Sequence, residues 1–183
     1  MVKSTSFPSV VENTLPYNHI YRNHPIFTLE PVIVKCNSYF FLQRSYFPGA
    51  TATKGWKYMF QILIVEDNAP FRQSLREMLC EQFPAMGIEE AGDGEDALGK
   101  IGTLSPHLVF MDIKLPGQSG LEVTRTIKAR HPEIRVIILT SHDLPEYREA
   151  ANQYGADYFL SKGSSSREEI LTLVDSIFDE LMK

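Results

Sequence analysis

Hydrophobic and polar positions follow a regular pattern from residue 60 onward. Residues 60–65, FQILIV, form a short apolar run of the kind expected for a strand buried on both faces. Further strands are predicted at 87–91, 108–112, 135–140 and 157–161, the first of these from a weaker pattern. Helical patterns predict helices at 70–83, 94–103, 120–130, 144–154 and 165–182.

Strand and helix therefore alternate through five successive units. Such alternation predicts an α/β fold, a parallel sheet with helices on both faces. For five units the usual strand order is 2-1-3-4-5, the flavodoxin-like order. Ligands then bind at the carboxyl ends of the strands, near the break between strands 1 and 3.

Residues 1–58 show no comparable period. Prolines interrupt any helix, aromatic residues are dense, and only short strands at 31–36 and 38–43 are suggested. We therefore divide the chain into an irregular N-terminal extension of unknown function, 1–58, and a domain, 59–183. Met59 directly precedes strand 1, so a start codon assigned too far upstream is one origin of the extension. A real extension that packs its aromatic side chains on the domain or on a partner is the other.

Charge divides the chain at the same place. Residues 1–58 carry six Lys and Arg against two Glu, a net +4, so the chain total of −5 leaves −9 for residues 59–183. A net-negative domain binds a phosphate backbone poorly, which argues against nucleic acid as a direct ligand. No apolar run approaches the roughly 18 residues that cross a bilayer, and no signal peptide is evident. We expect a cytoplasmic protein without membrane contact.

Polar residues follow four of the five predicted strands. Glu66 and Asp67 end strand 1, Asp112 ends strand 3, Thr140 ends strand 4, and strand 5 runs into Lys162. Since the carboxyl ends of parallel strands meet at one edge, these side chains are predicted to converge. Each alone has a plainer explanation, such as a cap, a loop residue or a solvated lysine. Explaining all of these residues without a shared function would require four separate coincidences, one at each strand end. A common functional site is therefore the favoured interpretation.

This set of residue types suits phosphoryl transfer. Clustered carboxylates raise one another's pKa unless a cation lies among them, and hard oxygen ligands suit Mg²⁺. A carboxylate can attack phosphorus and form an aspartyl-phosphate, while a metal ion neutralises charge on the transferring group. Lys162 would contact one phosphate oxygen and Thr140 another.

Four segments resemble a known family. They read ILIVEDN (62–68), LVFMDIKLPGQSGLEV (108–123), VIILTS (136–141) and GADYFLSKGSS (155–165). In order and spacing they are similar to the receiver domain of two-component response regulators. The resemblance covers about residues 60–183 and includes every motif that the family uses.

The resemblance implies roles for the acidic residues. Asp112 matches the phosphoacceptor, Asp67 the main metal-binding acid, and Glu66 a ligand that acts partly through water. The backbone carbonyl of Lys114 would complete the Mg²⁺ site. Lys114 and His142 stand where receiver side chains often border the attacking water's path, so they are predicted to tune the phosphoryl lifetime. The alternative is that both are simply solvated loop side chains.

The resemblance also implies a switch. Thr140 matches the hydroxyl that turns toward the phosphoryl group, Lys162 the family's lysine, and Phe159 the aromatic switch position. Many receivers have a proline after this lysine, usually with a cis peptide, but this chain has Gly163. Because a cis bond before glycine would cost about 2.5–4 kcal/mol, we expect a trans bond here.

A receiver is a phosphoacceptor switch rather than an enzyme, with no chemistry beyond its own phosphorylation and dephosphorylation. The implied partners are a sensor histidine kinase or a histidine phosphotransfer protein, and a downstream protein onto which the domain docks. Phosphorylation-dependent dimerisation stays open. Whether 1–58 serves as an output or anchoring element also stays open.

Three rival classes fit less well. A flavodoxin needs a Ser/Thr/Gly phosphate loop where this chain has Glu66, Asp67 and Asn68. A phosphatase of the haloacid dehalogenase type carries a second Asp two residues after its nucleophile, where this chain has Lys114. A transcription factor usually appends a basic helix-turn-helix after the receiver, and the sequence to Lys183 contains none.

Overall fold

The computed structural model describes residues 60–181. The predicted extension at 1–58, its suggested strands, and residue 182 of the predicted last helix lie outside this range. Strands and helices alternate throughout: β1 Gln61–Val65, α1 Ala69–Gln82, β2 Gly87–Ala91, α2 Gly94–Leu104, β3 Leu108–Met111, α3 Gly120–Arg130, β4 Arg135–Thr140, α4 Pro145–Gln153, β5 Tyr158–Ser161 and α5 Arg167–Leu181.

The five strands form one parallel sheet in the order β2-β1-β3-β4-β5. The predicted fold and strand order are thus confirmed. Element bounds differ from the predictions by at most two residues at either end. The last helix begins at Arg167 rather than 165, because the Ser166 hydroxyl caps it by accepting a hydrogen bond from the Glu169 amide at 3.1 Å.

The central strands are apolar throughout because both faces of the sheet are covered. Ile62 and Ile64 belong to one buried cluster, which includes residues of α1 and α5. Leu63 and Val65 belong to the other, which includes residues of α2, α3 and α4. Alternate residues of one strand therefore support opposite layers, and the sheet is fixed between them.

The segments that follow β1 and β3 are closely defined at the carboxyl edge. After β1, the Asn68 side chain caps α1 by accepting a hydrogen bond from the Phe71 amide at 3.0 Å. After β3, the chain passes through Gly117, whose φ of +76° suits glycine, and enters α3 at Gly120. No helix within 60–181 is long and apolar enough to cross a membrane.

Candidate metal centre

Three carboxylates meet at the carboxyl edge of the sheet. One oxygen from each of Glu66, Asp67 and Asp112 lies within 4.8 Å of the other two. Glu66 and Asp112 are buried, whereas Asp67 is exposed. Neighbouring strands β1 and β3 produce this arrangement, since Glu66 directly follows Val65 and Asp112 directly follows Met111. A cation entering from solvent would meet Asp67 first and the two buried carboxylates behind it.

The Lys162 ammonium points into the same cluster. Its Nζ forms an ion pair with Glu66 and lies 3.4 Å from Asp112 Oδ1. The Lys162 side chain is only 11% exposed, so water screens these contacts weakly. The backbone of the lysine is also fixed, since its amide donates to the Thr140 carbonyl at 2.9 Å. The residue that follows β5, Lys162, therefore lies beside the carboxylates, as the sequence predicted.

Burial raises the pKa of the Glu66 carboxyl above its ordinary value. The hydrogen bond and positive charge of Lys162 lower that pKa, and the nearby Asp112 raises it by a smaller amount than burial does. From the sequence, repulsion between the carboxylates was the expected cause of a raised pKa. Desolvation is the larger cause, because Glu66 is almost completely enclosed.

One buried oxygen of Asp112 is poorly satisfied. Asp112 Oδ1 has no hydrogen-bond partner among the described residues, although Lys162 Nζ lies at ion-pair distance. The Asp112 backbone is anchored, because its amide donates to the Val65 carbonyl at 3.0 Å. A buried carboxylate oxygen without a donor is costly unless a cation is close to it. The donor set therefore fits a hard divalent metal ion.

Thr140 lies at the end of β4 and is fully buried. Its Oγ1 accepts a hydrogen bond from the His142 amide at 3.2 Å, which leaves the hydroxyl proton available for another acceptor. Phe159 lies in β5 and is partly buried. The Arg148 guanidinium carbon lies 4.5 Å from the centroid of the Phe159 ring, a contact that the sequence did not reveal.

Lys114 and His142 are both exposed, and both contact the same ring. Lys114 Nζ lies 5.4 Å from the Tyr147 ring centroid, and the His142 and Tyr147 rings meet edge to face at 6.4 Å. Sequence reasoning missed Tyr147. The available signal was an aromatic residue in the first turn of α4, close in sequence to His142.

A second missed aromatic residue is Phe71, in the first turn of α1. Its ring centroid lies 4.6 Å from Lys162 Nζ. The bond between Lys162 and Gly163 is trans, as predicted, since no peptide bond between residues 60 and 181 is cis.

Residues 62–175 match the model of the response regulator receiver domain, a match that spans more than half of the chain. The chain belongs to the receiver domain family. Its function is that of a phosphoacceptor switch in two-component signalling, as the sequence predicted. Receiver domains are regulatory, in agreement with the expected switch. Membership of this family implies interaction with a histidine kinase.

Curated relatives resemble the receiver over part of their length. The chain is 41% identical over 105 residues to the transcriptional activator protein ExaE of Pseudomonas putida, which covers 57% of this chain and 49% of that protein. It is 33% identical over 112 residues to the response regulator GacA of Pseudomonas protegens, covering 61% and 53% respectively. The chain thus spans about half the length of these relatives.

Solved structures agree with the fold. A CheY-like receiver domain protein from Methanospirillum hungatei superposes with a TM-score of 0.61 at 26% identity, covering 66% of this chain and 94% of that one. A DNA-binding response regulator of the LuxR family from Staphylococcus aureus gives 0.61 at 30% identity, covering 65% and 98%.

Proposed function

We propose that Asp112 is the residue of this receiver that accepts the phosphoryl group. The observation that carries the proposal is its buried Oδ1, which has no hydrogen-bond donor among the described residues. This oxygen would attack the phosphorus of the donor, forming the aspartyl O–P bond as the bond to the donor's leaving group breaks. A carboxylate nucleophile carries no proton on its attacking oxygen, so this step would need no general base.

Glu66, Asp67, Asp112 and the backbone carbonyl of Lys114 would hold Mg²⁺. The close approach of the three carboxylates supports this assignment. When bound, the ion supplies positive charge that offsets the negative charge on the transferring phosphoryl group. Asp67 is the exposed carboxylate of the three, so it is the ligand that water would most readily replace on the ion.

Lys162 and Thr140 would bind the oxygens of the phosphoryl group. Lys162 Nζ already lies 3.4 Å from Asp112 Oδ1, so a small displacement would bring it to a phosphoryl oxygen. The Thr140 hydroxyl, which accepts from the His142 amide in this structure, would turn and donate its proton to another phosphoryl oxygen. We further propose that this turn leaves space into which the Phe159 ring moves.

The phosphoryl donor in this proposal is a sensor histidine kinase or a histidine phosphotransfer protein. The output is docking onto a downstream protein through a surface that changes with Phe159. Two exposed apolar side chains support such a surface: Leu144, before α4, is 51% exposed, and Tyr158, in β5, is 37% exposed. The −9 charge of residues 59–183 opposes direct binding of this domain to nucleic acid.

The test is labelling with a small phosphodonor. Acetyl phosphate and Mg²⁺ should add one phosphoryl group to the wild-type chain, detected by intact mass, and Asp112→Asn should stay unlabelled. Asp67→Ala should retain the fold but lose saturable Mg²⁺ binding, followed by tyrosine or tryptophan fluorescence. Equal labelling of the Asp112→Asn chain would overturn the assignment.

A further inference from the structure

Among the described residues, three groups hold the Lys162 ammonium: the Glu66 and Asp112 carboxylates and the ring of Phe71. At 4.6 Å the ring centroid is well inside the roughly 6 Å range of a cation–π contact. Phe71 is itself placed firmly. Its amide donates to the Asn68 cap, and its ring packs against the buried cluster beneath α1 and α5.

Hydrogen bonds of the loop after Lys162 fix the backbone, while the Lys162 side chain is oriented by separate contacts. The Lys162 amide is tied to Thr140, and the Ser165 amide donates to the Ser161 carbonyl at 2.9 Å. Among residues 60–181, and leaving out its two chain neighbours, a Cβ placed at Gly163 would meet only Ser161 Oγ, at 3.9 Å. The hydrogen bonds fix the backbone of this turn, and the contacts with Glu66, Asp112 and Phe71 orient the lysine side chain.

The three contacts differ in what happens to them when a metal ion binds. A divalent ion held by Glu66 and Asp112 would neutralise part of their negative charge and would repel the Lys162 ammonium. The attraction of Lys162 to both acids therefore weakens at the stage when the lysine is needed. The contact with the Phe71 ring does not depend on carboxylate charge, so it persists.

We propose that Phe71 is a positioning residue for phosphoryl transfer: its ring holds the Lys162 ammonium beside Asp112 while the metal ion occupies the carboxylates. This inference rests on the proposed function and deepens it. Phe71 does not touch the phosphoryl group and acts only through Lys162. The benefit is that the ammonium is already in place when a phosphoryl oxygen arrives.

The experiment compares two substitutions in the full chain. Phe71→Leu keeps apolar packing but removes the π face, whereas Phe71→Tyr keeps the ring. With acetyl phosphate and saturating Mg²⁺, Phe71→Leu should be phosphorylated about fivefold more slowly than wild type, and Phe71→Tyr at nearly the wild-type rate. Thermal unfolding of all three chains checks that each is folded.

The second readout is spectroscopic and needs no reaction. Protons above an aromatic ring resonate upfield, so the Lys162 ε-methylene protons should shift downfield in Phe71→Leu and stay in place in Phe71→Tyr, with Mg²⁺ bound. A wild-type rate in Phe71→Leu, or equal slowing in both variants, would overturn the inference. A wild-type chain that takes no label would instead contradict the proposed function, while the NMR comparison would still test the contact.

Discussion

At the scale of single residues, Gly120 determines how closely α3 approaches the acidic centre. A Cβ at this position would lie 1.8 Å from the backbone oxygen of Asp112, which cannot move without displacing the carboxylate. Gly120→Ala should therefore destabilise the domain by about 1–3 kcal/mol and impair phosphorylation. Urea denaturation measures the first effect and acetyl phosphate labelling the second.

Gly99, inside α2, is the matched control. A Cβ there would meet nothing within 4 Å in the part of the chain that the structure describes. Gly99→Ala should stabilise the domain by about 1 kcal/mol, because alanine is the better helix former, and should leave labelling unchanged. Equal stability of the Gly120→Ala and wild-type chains would show that α3 can move away from Asp112 at no cost.

A second prediction at residue scale concerns the phosphoryl lifetime. Lys114 and His142 both contact Tyr147, so the three side chains form one group on the solvent side of the predicted site. Replacing Lys114 and His142 together with alanine should change the rate of dephosphorylation, which ³²P release or intact mass measures. Tyr147→Ala should change it in the same direction. Unchanged decay in both chains would mean that these are solvated side chains without a role.

The charged residues of the candidate site could be predicted from the sequence more readily than their aromatic neighbours. Glu66, Asp112 and Lys162 could be predicted because each sits where a strand ends, a position that pattern alone defines. Phe71 and Tyr147 could not, since a ring in the first turn of a helix has no distinctive spacing. Their contacts depend on how α1 and α4 pack on the sheet.

At the scale of secondary structure elements, α4 and β5 are joined by Arg148. This side chain pairs with Asp143 in the loop after β4 and covers the Phe159 ring. Arg148→Ala should shift Phe159 toward its activated position, because one contact that holds the ring in its present position is lost. NMR shifts of residues 144–161 should then move toward those of the beryllofluoride-treated wild type.

The control separates the two contacts of Arg148. Asp143→Asn weakens the ion pair but leaves the guanidinium free to cover Phe159, so it should produce a smaller shift. In the wild type, beryllofluoride should affect 144–154, 157–161 and α5 together. Shifts confined to the loop after β3 would contradict a switch that runs through Thr140 and Phe159.

Asp157, just before β5, connects several elements through its carboxylate. It pairs with Lys128 of α3 at 2.6 Å and Arg135 of β4 at 3.0 Å, and accepts from the Val136 amide at 2.8 Å. Burial alone would raise the pKa of Asp157, but these partners together hold it below the ordinary value of 3.8. The ionised form is therefore favoured by folding.

A depressed pKa in the folded state contributes stability that is present above pH 3.8 and is lost as the pH falls through the lower folded pKa. Asp157→Asn should lower the free energy of unfolding by about 2 kcal/mol at pH 7 and flatten its decline below pH 4. Urea titrations at several pH values measure both. Glu133→Gln, at an ion pair whose acid is 71% exposed, should leave the profile almost unchanged.

Element types were more predictable than the exact ends of elements. Continuous apolar runs identify β1, β3 and β4, because strands buried on both faces have no polar side. Strand β3 ends at Met111 rather than at the predicted residue 112, which leaves Asp112 just beyond the ladder with its side chain toward the centre. Helix ends depend on local caps such as Ser166. Ser164, Ser165 and Ser166 are consecutive, so the sequence alone does not show which serine caps the helix.

At the scale of the whole molecule, residues 60–181 contain the five-stranded sheet, a buried cluster on each of its faces and the predicted site residues. Two buried clusters, one on each face of the sheet, are formed by side chains from residue 60 onward. The family match likewise begins at residue 62. The part of the chain that carries the regular pattern therefore also carries the core and the predicted site residues.

We predict that residues 1–58 are dispensable for the switch. A shortened chain that begins at Met59 should fold, bind Mg²⁺ and accept a phosphoryl group as well as the full chain does. The physical reason is that the acidic centre and its supporting contacts lie within β1, β3, β4, β5 and the segments that follow them, with helices covering both faces. Circular dichroism, Mg²⁺ titration and acetyl phosphate labelling of the two chains, side by side, provide the comparison. An insoluble shortened chain, or one that cannot be labelled, would show that the extension is part of the working structure. Intact-mass analysis of the protein from its native host would separately identify the methionine at which it starts.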